Sequence, residues 1–371
     1  MKLVYLANVR LPTEKAHGLQ IMEMCRAFNQ NGLEVELVVP WRLNYIKNDP
    51  FSYYGIESTF KIKRLLCLDL VYLKLFGVVG FWVESITFML AARIYLWFRH
   101  CDILYTREAV VAVFFNKAVM EIHSLPNRLA GFIYRRAQKI IVLTSFLKDR
   151  LVKEAGLPES KILVAADGVD IQKFNIKETK EDCRKKLGLP LEKNIVLYAG
   201  HLYKWKGADI LLEAIVRATN YFVFVGGMKN DLIRFSLLIR QKQLNNVLLV
   251  GQRPHAEIPY YLKAADVLVL PNSATEKISS HYTSPMKLFE YMASGTPIVA
   301  SDLPSIREVL NGQNATLVRP DDPKDLARGI EAVLKNKEWA DKIAKKAKID
   351  SVGYDWSKRV KDIKIFFSTY I

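Results

Sequence analysis

The sequence predicts an α/β protein with two doubly wound parallel sheets, each of the Rossmann-like type. Short apolar runs alternate with helical stretches along the whole chain of 371 residues, which is the order expected of parallel β-α units. Several runs, such as Ile195–Ala199 and Val267–Leu270, are apolar throughout, as strands covered on both faces by helices are. The runs fall into two groups of six, so two sheets are expected.

The two groups of predicted strands lie in the two halves of the chain. In the first half they are Leu3–Asn8, Val35–Pro40, Ile103–Thr106, Val119–His123, Ile140–Thr144 and Ile162–Ala165. In the second half they are Ile195–Ala199, Phe222–Val225, Val247–Val250, Val267–Leu270, Pro297–Ala300 and Ala315–Val318.

The segment Phe174–Asn194 separates the two groups, because its stretch IKETKEDCRKK is polar, highly charged and without a strand. We therefore expect domains at 1–174 and 175–352, and a C-terminal helix in 353–371 that packs back on the first domain. In open parallel sheets, ligands bind beyond the carboxyl ends of the strands. Two such sheets facing each other across a cleft would carry ligand sites on opposite walls.

The composition is that of a folded globular chain, with 50% hydrophobic and 25% charged residues. It excludes disordered, collagen-like and cysteine-framework proteins. The four cysteines lie far apart and without metal-ligand spacing, which favours buried thiols in a reducing, cytoplasmic compartment. The N-terminal residues turn polar too soon for a signal peptide.

The formal net charge of +16 indicates a polyanionic partner. Nucleic acid, an anionic membrane surface and phosphorylated small molecules all qualify. The positive charge is spread over both halves, and the chain has no zinc-finger spacing, no RNP-like aromatic string and no basic region with heptads. Nucleic acid is therefore the weaker interpretation.

The stretch SPMKLFEYMASGTPIVASD at 284–302 carries the strongest chemical pattern. Ser284 suits an N-cap, Pro285 the first helical position and Gly295 the residue after the helix. The first turn would offer unpaired N–H groups to an anion, with Lys287 adding a full charge and Glu290 in reach of a hydroxyl beside that anion. A well-capped structural helix with a solvated Lys/Glu pair explains the pattern equally well.

Two further loops follow predicted strands. The loop GHLYKWKG at 200–207 carries Lys204 and Lys206 but has neither a dinucleotide fingerprint nor Walker spacing. Taken alone, it indicates only a tight basic turn. Asp167–Asp170 (DGVD) follows a strand near the domain boundary, and its glycine suits a sharp turn. On its own this stretch only shapes the connection.

Taken together, these stretches resemble the retaining GT-B glycosyltransferases of family four, the group 1 glycosyltransferases. The resemblance covers nearly the whole chain, from KLVYLANV and LPTEKAHGLQ (Leu11–Gln20), through EIHSLP (Glu121–Pro126), to the stretches at 200–207 and 284–302. It implies that the protein transfers a sugar from a nucleotide-diphosphate-sugar donor, bound mainly by the second domain, with retention of the anomeric configuration.

The resemblance assigns the donor contacts to particular residues. Lys206 matches the lysine that contacts the donor diphosphate, and Ser284–Lys287 match the helix start that cradles it. Glu290 matches the glutamate that holds the ribose hydroxyls, and Arg253–Pro254 match the backbone that contacts the base. The full predicted donor set is Gly200, His201, Arg253, Tyr282, Thr283, Ser284, Pro285, Met286, Leu288 and Glu290.

The catalytic residues implied by the resemblance are Lys206, Lys287 and His123. The two lysines would stabilise the negative charge that develops on the departing diphosphate. His123 would position or polarise reacting groups, and His17–Gly18 would lie near the phosphate and the acceptor. Without the match, His123 reads as a packed histidine after a buried strand. The donor is a substrate, and the resemblance implies no cofactor and no metal.

The sequence departs from the family pattern at two positions. Tyr282 stands where the family has a glutamate that grips the donor sugar, and His201 stands where a basic residue is expected after Gly200. Sugar recognition must then use other groups, for example Glu276 or backbone amides of Tyr282–Ser284.

Two stretches of the first domain favour docking on an anionic cytoplasmic leaflet, and hence a lipid-linked or cell-surface glycan as acceptor. Asn127–Lys139 is basic and amphipathic, and Leu70–Phe98 is unusually apolar, although its charged residues make a spanning helix less expected than buried or interfacial helices. The alternative is a buried helical hairpin with a solvated arginine face.

Other functions for the same architecture are a sugar-nucleotide epimerase and a non-catalytic protein that binds polyanions or nucleotide sugars. The net charge and Tyr282 are the observations that motivate the binding protein. A phosphorylase would need a pyridoxal lysine and a longer chain.

Overall fold

The computed structural model describes residues 1–71, 77–124, 130–215 and 220–368. The chain divides into two compact units. The first comprises Met1–Ala166 together with the C-terminal residues from Trp356 onward, and the second comprises Asp167–Asp355.

The first unit is built on a seven-stranded, all-parallel sheet. Its strands are β1 (Lys2–Leu6), β2 (Glu34–Pro40), β3 (Lys61–Leu65), β4 (Ile103–Thr106), β5 (Val119–Ile122), β6 (Lys139–Val142) and β7 (Ile162–Val164). Their order in the sheet is β3-β2-β1-β4-β5-β6-β7, so the winding reverses between β1 and β4. Its helices up to Ala166 are α1 (Ala16–Gln30), α2 (Pro50–Tyr54), α3 (Gly77–Trp97), α4 (Val111–Phe114), α5 (Ala130–Arg136) and α6 (Ser145–Ala155).

The second unit contains a six-stranded parallel sheet in the order β10-β9-β8-β11-β12-β13. Its strands are β8 (Ile195–Ala199), β9 (Tyr221–Val225), β10 (Val247–Gly251), β11 (Val267–Leu270), β12 (Ile298–Ser301) and β13 (Thr316–Val318). Its helices are α7 (Ile171–Phe174), α8 (Lys180–Leu187), α9 (Ala208–Ala214), α10 (Lys229–Gln241), α11 (Ile258–Ala264), α12 (Met286–Ser294), α13 (Pro304–Arg307), α14 (Pro323–Lys335) and α15 (Lys337–Ser351). The last helix, α16 (Trp356–Ser368), belongs to the first unit.

The two predicted parallel sheets are confirmed, and one strand was not predicted. β3 has the sequence KIKRL, in which Lys61, Lys63 and Arg64 are exposed and only Leu65 is buried. It lies at the edge of the sheet and pairs only with β2. Because an edge strand can keep charged side chains in solvent, it lacks the apolar pattern that identified the other strands.

The boundary between the units lies after Ala166, eight residues before the predicted one. The reason is that the DGVD stretch is bonded to the second unit. The N–H of Asp167 donates to Ser284 Oγ at 3.0 Å, and the N–H of Val169 donates to the Tyr354 carbonyl at 2.9 Å. α16 leaves that unit and packs against α1, where Asn31 donates to Ser357 Oγ at 3.1 Å.

Within the apolar stretch Leu70–Phe98, residues Gly77–Trp97 form one long helix, α3, and the predicted hairpin alternative is wrong for this part. α3 is the one helix among the described residues that is long and apolar enough to cross a membrane. The stretch Asn127–Lys139 contributes α5 and the first residue of β6. Residues 72–76 and 125–129, including part of these two stretches and of EIHSLP, lie outside the described residues.

Candidate functional site

The N-terminus of α12 lies beside the end of β8 in the second unit. Tyr291 of α12 connects the two elements, because its hydroxyl accepts the N–H of Ala199, the last residue of β8, at 2.8 Å. β8 and β11 are the neighbouring strands at which the winding of this sheet reverses. Ligands of doubly wound sheets bind at such a reversal.

The first turn of α12 differs in detail from the prediction. Pro285, rather than Ser284, is the N-cap, and the Ser284 hydroxyl accepts the Asp167 N–H instead of capping the helix. The N–H of Leu288 donates to the Pro285 carbonyl at 2.8 Å, and the Leu288 side chain is buried. Both the amide and the side chain of Leu288 are thus engaged within the protein, and its contact with a donor stays a prediction. Met286 and Lys287 keep N–H groups without an acceptor in the helix.

Lys287 places an amino group in the interior of the second unit. Its side chain is buried, Nζ has no hydrogen-bond partner among the described residues, and it lies 4.2 Å from the centre of the Tyr198 ring. Burial and the nearby charge of Lys206 hold the Lys287 pKa well below its usual range, against the opposite influence of Glu290. The Lys287 amino group therefore has no anionic group hydrogen-bonded to it among the described residues.

Lys206 reaches the same place from the loop after β8. It ends a 3₁₀ turn, Lys204–Lys206, whose Trp205 carbonyl accepts the N–H of Ser273 at 3.1 Å. Burial lowers the Lys206 pKa to about 8, although Asp167 acts to raise it. The structure therefore brings Lys206 and Lys287 together, as the resemblance implied.

Gly207 allows this loop to lie close to the end of β11. Its φ is +73°, and a Cβ at this position would lie 1.6 Å from the carbonyl oxygen of Pro271. Only glycine satisfies both conditions. The glycine at the end of the loop is therefore required by its packing.

Glu290, one turn into α12, forms a pair with His255 that the sequence did not reveal. His255 Nε2 lies 2.9 Å from Glu290 Oε1. His255 also packs edge-on against Phe174, with ring centres 5.9 Å apart. Arg253, the residue predicted in this segment, is exposed to solvent. The segment after β10 thus contacts α12 through the histidine.

His201 follows Gly200 and stacks on Tyr203, with ring centres 5.0 Å apart and planes 8° from parallel. Its carbonyl accepts the Tyr198 hydroxyl at 2.5 Å. His201 stands where the resemblance implies a basic residue. It therefore belongs to an aromatic stack at the start of the loop.

Tyr282 lies at the end of a single π-helical turn, Ile278–Tyr282, and is half-buried. The N–H of Thr283 donates to the Ile278 carbonyl at 3.0 Å, so this amide is engaged within the turn. The Glu276 side chain is exposed.

The first unit has a cleft of about 1030 Å³ of its own, at the reversal between β1 and β4. His17 and His123 both line it, together with Arg107. Burial, Arg107, Lys15 and His123 lower the His17 pKa to about 4, so His17 is neutral at physiological pH. Gly18 is packed against Tyr54, where a Cβ would lie 2.1 Å from the phenol oxygen.

His123 is held by a buried acid that the sequence did not single out. Its Nε2 lies 2.8 Å from Oε1 of Glu121, a fully buried residue of β5. Gln20 donates to the same oxygen at 2.6 Å, and Arg359 of α16 donates to the other at 3.2 Å. Burial raises the pKa of Glu121, but Arg359 and His123 outweigh it and hold this pKa well below its usual range.

Residues 179–350 match the model of the family described as glycosyl transferases group 1. Two curated relatives are a putative teichuronic acid biosynthesis glycosyltransferase, TuaC, of Bacillus subtilis (strain 168), and D-inositol 3-phosphate glycosyltransferase 1 of Catenulispora acidiphila. The first is 28% identical over 56% of this chain and 50% of its own length. The second is 25% identical over 63% of this chain and 58% of its own length. The chain thus spans about half the length of these relatives.

Solved structures match both units. A sucrose-phosphate synthase from Thermosynechococcus elongatus has a TM-score of 0.80 at 18% identity, covering 100% of this chain and 99% of that one. HepE from Anabaena in complex with UDP-glucose has a TM-score of 0.78 at 17% identity, covering 100% of both chains. At this identity the likeness shows the fold. The chain therefore has the GT-B fold, and its second unit matches the family of group 1 glycosyltransferases.

Proposed function

We propose that the protein transfers a sugar from a nucleotide-diphosphate-sugar donor to a glycan or lipid-linked glycan, with retention of the anomeric configuration. The observation that carries the proposal is the pair Lys206 and Lys287 beside the N-terminus of α12. Burial lowers the pKa of both amino groups, and the neighbouring charge of Lys206 lowers the pKa of Lys287 further. A diphosphate would supply the missing negative charge, and the N–H groups of Met286 and Lys287 would bind its oxygens.

The same arrangement would accelerate the reaction. Cleavage of the bond between sugar and phosphate leaves extra negative charge on the departing diphosphate. Donors that already point at that place stabilise the transition state more than the ground state, and each contributes on the order of 10²–10³ in rate. The ammonium groups and the N-terminus of α12 would balance this negative charge without a metal. The departing phosphate would help to deprotonate the acceptor, which attacks from the same face.

Nucleoside recognition would involve Glu290 and His255. The carboxylate of Glu290, whose side chain is 12% exposed, accepts hydrogen bonds, as ribose hydroxyls require. His255 holds this carboxylate in place at 2.9 Å. Arg253 is exposed, and it adds positive charge near this pair without holding the carboxylate in place.

The acceptor would bind in the cleft of the first unit, where His17 and His123 lie. The volume of about 1030 Å³ is large enough for a sugar or for the end of a short glycan. Relatives named for teichuronic acid biosynthesis support a role in cell-surface polysaccharide synthesis. The UDP-glucose complex of HepE supports a uridine or related nucleotide as the donor's base.

A panel of nucleotide sugars tests the proposal. Thermal unfolding of the full chain is followed with UDP-, GDP- and ADP-sugars, and with inorganic pyrophosphate and heparin as general polyanions. A donor-specific rise in the melting temperature that persists in salt supports a transferase. An equal response to every polyanion, abolished by salt, contradicts it and favours the binding protein.

The preferred donor is then incubated with acceptor fragments, and the product is examined by NMR. A new glycosidic bond with the anomeric configuration of the donor supports the retaining mechanism. Conversion of the donor into its epimer, without transfer to any acceptor, would identify an epimerase instead.

A further inference from the structure

α3 of the first unit has two faces of different character. One face packs in the core and is formed by Gly80, Glu84, Ser85, Phe88, Met89 and Ala92. Arg42 donates to the Glu84 carboxylate at 2.9 Å, which fastens this face to the loop after β2. The helix is therefore an integral part of the first unit.

The opposite face of α3 is apolar and exposed. Its side chains, with Phe98 just beyond the end of the helix, recur at every fourth position, so that each lies beside the next in a stripe that winds across the exposed half of the helix. Between 44% and 83% of each of these side chains is exposed: Val78, Trp82, Ile86, Leu90, Ile94 and Phe98. Large contiguous apolar patches of this kind are rare on soluble monomers and mark an interaction surface.

A neighbouring loop widens this stripe. Leu66 and Leu68 follow β3 and are 77% and 60% exposed. The N–H of Leu68 donates to Thr87 Oγ1 of α3 at 3.1 Å, so the loop lies along the helix. We call the stripe and these two leucines the docking face.

Basic side chains border the docking face. They are Lys61 and Lys63 on the edge strand β3, which share the α3-facing side of the strand with Leu65, together with Arg93 and Arg99. All four are exposed, and none forms an ion pair in the part of the chain that the structure describes. Lys63 and Arg99 lie 5.9 and 4.9 Å from the Tyr95 ring, at the C-terminal end of the helix.

We propose that the docking face binds an anionic lipid leaflet, with α3 lying in the plane of the headgroups. An exposed apolar stripe bordered by cations without acidic partners is complementary to a surface that offers acyl chains beneath negative headgroups. Spanning the bilayer would require the buried face of α3, with its Glu84–Arg42 pair, to leave the core. The interaction is independent of the donor site, because it involves the first unit alone.

Flotation of the full chain with lipid vesicles tests this interaction. Vesicles that contain phosphatidylglycerol should carry the protein upward at low salt, and vesicles of phosphatidylcholine alone should not. The variant Val78→Ser/Trp82→Ser/Ile86→Ser should abolish flotation while the donor-induced thermal shift is kept. The matched control Leu237→Ser/Ile349→Ser/Val352→Ser replaces equally exposed side chains of the second unit and should float like the wild type.

A charge variant separates the electrostatic part. Lys61→Gln/Lys63→Gln should weaken binding to the anionic vesicles about thirty-fold, since each cation near such a surface contributes roughly a factor of five. The control Lys342→Gln/Lys345→Gln, exposed on α15, should change it little. Loss of flotation in both charge variants would mean that only the net charge matters, which overturns the proposal.

Two further outcomes would also overturn it. If light scattering shows a dimer that the serine triple variant dissociates, and no vesicle binds, the face is an interface between copies of this chain. If binding is independent of lipid charge and survives both high salt and an alkaline wash, the helix inserts across the bilayer.

Discussion

The imidazole of His123 and the buried carboxylate of Glu121 lie 2.8 Å apart in the cleft of the first unit. Because the Glu121 pKa is held well below its usual range, the carboxylate is charged and accepts the hydrogen bond, so Nε2 of His123 carries a proton. Arg359 of α16 holds the other carboxylate oxygen. The C-terminal helix thereby contributes to the orientation of a residue in the candidate acceptor site.

The variant Glu121→Gln should destabilise the protein at neutral pH by about 3–5 kcal/mol, because it leaves Arg359 buried without its charge partner. The direction in which this stability changes with pH follows from the lowered pKa of Glu121 in the folded state. The wild type has this stability above the ordinary carboxyl pKa of 4.5 and loses it as the pH falls through the folded-state value. Urea unfolding at neutral and acidic pH measures both. A difference between the two proteins that stays constant down to strongly acidic pH would contradict this role.

Replacement of either candidate catalytic lysine should lower the rate of transfer strongly. Lys206→Ala and Lys287→Ala each remove one group aimed at the leaving diphosphate, which corresponds to a loss on the order of 10²–10³ in turnover. The control is Lys204→Ala, two residues before Lys206 and exposed to solvent. Initial rates under donor saturation measure the turnover of each variant, and circular dichroism checks that each variant is folded. Near-wild-type turnover in both variants would remove the diphosphate mechanism.

Donor binding should take up protons at and above pH 8. Burial lowers the Lys206 pKa to about 8 in the free protein, and a bound diphosphate restores it towards the ordinary value of 10.5. For the same reason, the stability of the free protein should rise with pH between these two values, since the unfolded lysine binds the proton more tightly. Titration calorimetry with UDP in buffers of different ionisation enthalpy measures the uptake. Lys206→Met should reduce it, and an unchanged uptake would refute the assignment.

The strands were predictable where both sheet faces are covered. Ile103–Thr106, Ile195–Ala199 and Val267–Leu270 have the predicted bounds, because a fully buried strand is apolar at every residue. β3 was missed, since at an edge its charged side chains remain in solvent. The local pattern also misplaced the start of α12. Ser284 is a good N-cap by type, but its hydroxyl is engaged by Asp167, a residue distant in sequence.

Only those residues of the candidate site that lie in short local motifs could be predicted from the sequence. Lys206, Lys287 and Glu290 lie in recognisable stretches, and the structure places them together. Their partners were not predictable. Arg359 lies 238 residues after Glu121, and His255 lies 35 residues before Glu290. Such pairs depend on the tertiary fold, and no spacing rule in one sequence reveals them.

Gly207→Ala should disrupt the loop that carries Lys206. The added Cβ would lie 1.6 Å from the Pro271 carbonyl oxygen and would also be strained at a φ of +73°. The loop must then shift, so the donor-induced thermal shift should disappear. Gly312→Ala is the control, because a Cβ there meets nothing within 4 Å. A Gly207→Ala variant that binds donor normally would show that the loop is not constrained by this contact.

His255→Ala should weaken donor binding with little effect on turnover at saturation. Glu290 would lose its hydrogen bond from His255, and such bonds to charged groups are worth about 1.5–3 kcal/mol. If the carboxylate holds the ribose, the KM for the donor should rise about ten-fold or more, while kcat stays close to that of the wild type. Arg253→Ala, in the same segment but exposed, should leave KM nearly unchanged. A fall in kcat at unchanged KM would instead place His255 with the groups that act on the departing diphosphate.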